Sequence, residues 1–130
     1  MQKERPPRFQ KAKTVKRSAY GSIFENLPDS TKQEQLEELC GSRSFRIERI
    51  VSAGQLSPPG FWFDQTWDEW VLVVQGAAAV RLQDPEETVH LTAGDWLMIE
   101  AHRRHRVEAT SRQPVTIWVA VHGCDLPATP

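Results

Sequence analysis

Apolar and polar residues alternate along most of the chain beyond Gly41. Phe45 and Ile47, then Ile50-Val51 after Glu48-Arg49, approximate the period of a half-buried strand, and Ser57-Pro58-Pro59-Gly60 ends it in a turn. Glu69-Trp70-Val71-Leu72-Val73-Val74 runs to Gly76. Ala79-Val80-Arg81-Leu82 runs to the turn Asp84-Pro85-Glu86-Glu87, and Thr88-Val89-His90-Leu91 to Ala93-Gly94. Further strands are predicted at 96–99, 104–108 and 115–121. Short strands recurring about every 8–12 residues with turn signals between them argue an all-β sandwich or barrel over alternating strand and helix units. One helix is predicted, at the front, over residues 30–40. Ser30 with Gln33 makes a capping box, Leu36 and Leu39 share a helix face, and Gly41 stops it.

At 130 residues the chain holds one domain with a real core. We assign 19–130 to that domain, with the barrel over about 43–122. Residues 1–18 carry seven Lys and Arg against one Glu, which leaves the body acidic. A solvated basic tail is the expected reading, because the segment has few apolar residues and contains Pro6-Pro7. Nucleic acid is not an expected partner, since no stacking aromatics or recognised motif accompany the charge. No apolar run approaches the roughly 20 residues of a membrane span, and no apolar segment of a secretory signal follows the basic start. A soluble, cytoplasmic protein is expected. Cys40 and Cys124 lack metal-knuckle spacing and are read as free thiols.

Two blocks carry a family resemblance. Glu69, six residues, then Gly76 is similar to the first motif of the cupins. Gly94 followed by Glu100, His102 and His105 stands at the offsets of their second motif, Gly, Pro, Gly, His, with the glycine and the final histidine retained. The stretch from about 43 to 122 therefore resembles a small single-domain cupin. The resemblance implies a jelly-roll barrel holding a divalent metal, bound by two histidines and the Glu of the first motif and the His of the second. It also implies a homodimer paired through an outer sheet. The chain departs from the pattern before Glu69, where the histidine pair is absent: with three intervening residues Phe63 and Gln65 stand there, and with four Trp62 and Asp64.

The candidate metal ligands are therefore Glu69 and His105, with Asp64 or Gln65 as a third. A mixed nitrogen and oxygen set suits Zn, Fe, Mn or Ni. The competing reading makes His105 a hydrogen-bonded barrel histidine and Glu69 a strand-end carboxylate paired with an arginine. Phe63, Trp62, His102 and His122 are candidate pocket residues, with His102 placed in the turn and His122 expected to be buried without a ligand role. His90 is read as surface. Arg103, Arg104 and Arg106 are read as a solvated turn and strand face. The expected function is small-molecule binding in the barrel, by way of one divalent metal or without it. The alternatives are a metal-dependent enzyme of dioxygenase or isomerase type acting on a small carbonyl or carboxylate substrate, and a partner-binding protein using the basic tail. No catalytic residue is assigned.

Overall fold

The alternation becomes eight antiparallel strands in two facing sheets. The computed structural model describes residues 20–123, so the predicted basic tail and Cys124 lie outside the described residues. In chain order the strands are β1 (Gln35–Gly41), β2 (Phe45–Ser52), β3 (Glu69–Gln75), β4 (Ala77–Leu82), β5 (Glu87–Thr92), β6 (Trp96–Ile99), β7 (His105–Thr110) and β8 (Thr116–Gly123). One sheet has the order β1-β2-β8-β3-β6 and the other β5-β4-β7. Every strand predicted beyond Gly41 is present, and Cys40 and His90 are exposed.

The predicted helix over 30–40 is not formed. There is no helix among the described residues, and hence none long and apolar enough to cross a membrane. Residues 35–41 instead pair with β2 as the edge strand β1. Ahead of β1, Asp29 Oδ1 accepts from the backbone N–H and the hydroxyl of Thr31, and these bonds hold the Asp29 carboxyl below the usual carboxylate range. The i, i+3 spacing of Leu36 and Leu39, read as helical, is absorbed by a bulge. Glu38 pairs with Glu48 and Cys40 with Ile47, so Leu39 is the extra residue. Long-range pairing outweighs a short helix whose local preference is marginal.

Period-two alternation decides what each strand buries. Val71 and Val73 on β3, Val80 and Leu82 on β4, Ile50 on β2 and Trp118 and Ala120 on β8 enclose one apolar core between the sheets. Between β3 and β4 the chain leaves one sheet for the other at Gly76, with φ +87°. A Cβ built there would lie 2.5 Å from Ser111 Oγ and 2.9 Å from Thr116 Cα, so the position requires glycine on two counts.

Two buried arginines fasten loops to this frame. Arg49 is 3% exposed; its guanidinium donates to the carbonyls of Ile23, Glu25 and Asn26 and pairs with Glu37, which ties the segment before β1 to the outer face of β2. Arg106, expected on a solvated face, is buried. It donates to the carbonyls of Ser57, Pro58 and Phe61 and to Glu108, because the loop before Trp62 folds back across β7 and needs its carbonyls satisfied. Arg103 is likewise engaged, by the carbonyls of Gln83 and Pro85 and by Glu87, whereas Arg104 is exposed as expected.

Candidate functional site

At one end of the core the inward positions turn polar. Glu69 opens β3, His122 lies directly opposite it one residue before the end of β8, and His105 opens β7. Glu48, two residues before Ile50 on the same face of β2, reaches His122 diagonally across the sheet. The fourth wall is the segment 63–68, which lies along β7 without being a full strand. Phe63 N–H donates to the His105 carbonyl at 2.8 Å, and His105 N–H donates back to the Phe63 carbonyl at 3.1 Å. His102 N–H donates to the Gln65 carbonyl at 2.6 Å, and Ala101 N–H to Asp68 Oδ1 at 2.8 Å.

That clasp chooses between the two registers left open by the sequence. Gln65 points inward, 4% exposed, and its Nε2 donates to Glu69 Oε1 at 3.0 Å. Asp64 faces the rim, where its Oδ1 lies 3.1 Å from Nδ1 of the exposed His102. The same alternation separates the aromatic pair. Phe63 is buried with its ring 5.3 Å from the His105 ring, whereas Trp62 lies outside under the guanidinium groups of Arg81, Arg104 and Arg106. Of the candidate residues, the structure thus brings Glu69, His105, Gln65, Phe63 and His122 together and leaves Asp64, His102 and Trp62 at the rim or outside.

The hydrogen-bond partners dictate the tautomers of the two imidazoles. A carbonyl only accepts, so His105 Nδ1, 2.9 Å from the Arg103 carbonyl, donates to it. In the neutral ring Nε2 then carries the lone pair, and it faces Glu69 Oε1 at 3.9 Å. His122 is the reverse case. An indole N–H only donates, so Trp67 Nε1 at 2.9 Å makes His122 Nδ1 the acceptor, and Nε2 donates to Glu48 Oε1 at 2.8 Å. His122 Nε2 also lies 3.9 Å from Glu69 Oε2.

Glu48 and Trp67 escaped the sequence reading. The signal for Glu48 was present: strict alternation back from Ile50 puts it on the core face. Trp67 carried no signal beyond belonging to an aromatic run.

The donor set fits a divalent cation of the kind the fold resemblance implies. Glu69 offers carboxylate oxygens, His105 a lone pair, and Gln65 Oε1 is a buried acceptor with no hydrogen-bond partner among the described residues. The set is lean, and no group of three or more His, Cys, Asp or Glu gathers around a common point among the described residues. The third donor is an amide.

A family model described as a cupin domain matches residues 49–122. Among solved structures, a protein from Ralstonia eutropha JMP134 described as a "putative mannose-6-phosphate isomerase" is 40% identical, with a TM-score of 0.78, over 83% of this chain and 100% of that one. A cupin superfamily protein from Desulfitobacterium hafniense DCB-2 is 18% identical, with a TM-score of 0.67, over 83% and 94% of the two chains. KdgF from Halomonas sp. is 18% identical, with a TM-score of 0.65, over 84% and 96%. The last two likenesses speak for the fold alone. No curated protein matches the chain.

Proposed function

From the premise that the chain belongs to the cupin family, we propose that it binds a small molecule at the polar end of the barrel, through one divalent ion held by Glu69, His105 and Gln65. The observation that supports this reading is the meeting of Glu69, His105 and Gln65 at one buried end of the barrel, where Gln65 Oε1 has no hydrogen-bond partner among the described residues. A buried acceptor without a donor is costly, and a cation or a donor-rich ligand relieves it. When bound, the ion supplies Lewis-acid polarisation of a ligand oxygen. Glu69 provides the charge, with Gln65 Nε2 orienting its carboxylate. His105 is aimed by the Arg103 carbonyl and by the Phe63 ring, which is the arrangement by which ligating histidines are commonly oriented.

A second reading is an isomerase acting on a small carbonyl substrate. It is favoured by the description of the Ralstonia relative, at 40% identity over its whole length. Elemental analysis of protein purified without added metal or chelator tests the first reading: about one equivalent of Zn, Fe, Mn or Ni per chain is expected. A metal-free protein that takes up none of these ions on titration would overturn it. Turnover of mannose 6-phosphate by the metal-loaded protein tests the second.

A further inference from the structure

Two fully buried imidazoles flank one carboxylate. His105 Nε2 lies 3.9 Å from Glu69 Oε1 and His122 Nε2 lies 3.9 Å from Glu69 Oε2. Placement alone does not distinguish them as ligands to an ion at Glu69. What distinguishes them is the group at the far nitrogen: a carbonyl behind His105 and an indole N–H behind His122. A carbonyl draws the proton to Nδ1 and turns the Nε2 lone pair inward. An indole N–H does the opposite, placing the proton on Nε2, where it is donated to Glu48. A nitrogen bearing a proton cannot ligate a cation.

We propose that Trp67 determines the ligand set of the site by holding His122 in the tautomer that cannot bind metal. On this view His122 is a latent ligand and Trp67 a positioning residue that keeps the site to a single imidazole. The proposal rests on the metal reading given above. It reaches beyond it because neither Trp67 nor Glu48 is part of that reading's ligand set. The consequence is selectivity: one imidazole with carboxylate and amide oxygens favours harder cations, whereas a second imidazole shifts preference toward Zn, Ni and Cu(II). Glu48 completes the lock, since its carboxylate accepts the hydrogen bond of the N–H that Trp67 places at Nε2.

Trp67→Phe tests this, because it retains an aromatic ring against His122, where the ring centroids are 6.1 Å apart, and removes only the donor and the space of the five-membered ring. That space admits a water, which can accept from Nδ1 as well as donate to it. Nitrogen-15 histidine spectra of the metal-free full chain should show His122 protonated on Nε2 in the wild type and on Nδ1, at least in part, in Trp67→Phe. Zinc titration should show affinity raised roughly ten- to hundredfold in Trp67→Phe, the range over which groups that orient a ligating histidine act. Cu(II) paramagnetic resonance should change from one coupled nitrogen to two, and Trp67→Phe combined with His122→Ala should abolish the gain.

Zinc uptake by both proteins at equal affinity, with His122 protonated on Nε2 in both, would overturn the lock and leave the metal reading standing. Uptake by Trp67→Phe alone would support the lock and overturn the reading that the wild type holds a metal. Uptake by neither would overturn both. If Trp67→Phe fails to fold, the wild-type spectra still decide, since His122 protonated on Nδ1 in the native protein would refute the lock.

Discussion

Gln65 and Glu69 stand four residues apart in a segment with no helical turn, yet their side chains meet at 3.0 Å in the interior. The contact exists because 63–68 is drawn along β7 by backbone bonds from Phe63, His105 and His102. In the cupin pattern the amide stands at a position of the missing histidine pair, and its Oε1 is buried with no hydrogen-bond partner among the described residues.

If Glu69, His105 and Gln65 hold an ion, Glu69→Gln and His105→Ala should each lose most of it, because a site with so few ligands has little affinity in reserve. His90→Ala, on the exposed face of β5, should lose none. Metal content per chain after identical purification measures this. Retention of the ion by a Glu69→Gln, His105→Ala double variant would place the site elsewhere.

Gly76→Ala should destabilise the domain by about 2–4 kcal/mol, combining a left-handed backbone with a forced approach to Thr116. Gly60→Ala, with φ +75° but nothing within 4 Å of the added carbon, should cost only about 1 kcal/mol. Denaturant unfolding midpoints of the two variants give the comparison, and equal losses would contradict the close-approach argument.

Arg49→Met removes a buried guanidinium from the carbonyls of Ile23, Glu25 and Asn26 and from Glu37. A loss of about 2–4 kcal/mol is expected from the unsatisfied acceptors. Amide exchange should rise first in residues 22–38 while β3 and β8 stay protected. Uniform acceleration across the domain would show that Arg49 does not act locally.

The outer face of β3 and β6 carries Trp96 and Met98, 60% and 41% exposed, with Trp70 stacked on Trp96. β6 is an edge strand, Trp96-Leu97-Met98-Ile99, with no charge, proline or bulge to protect it. A twofold dimer covering this face is the proposed assembly. Sedimentation should give a dimer that Trp96→Glu converts to monomer; a wild-type monomer at high concentration would remove the proposal.

Seven of the eight strands were legible in the sequence, because period-two burial is a local consequence of strand geometry and needs no knowledge of partners, and the motifs that carry the cupin resemblance singled out Glu69 and His105. Gly76 was equally legible as a turn, although not the crowding that demands it. Tertiary structure alone decided the rest. Residues 35–41 became a strand because β2 offered a ladder that a short isolated helix could not match in free energy. Gln65 rather than Asp64 faced inward because bonds from residues some forty positions away set the register of 63–68. The tautomers of His105 and His122 depended on which group, a carbonyl or an indole N–H, the fold delivered to each Nδ1. A proton's position follows from a partner's chemistry, and partners brought together across 55 residues of chain, as Trp67 and His122 are, leave no local pattern to read.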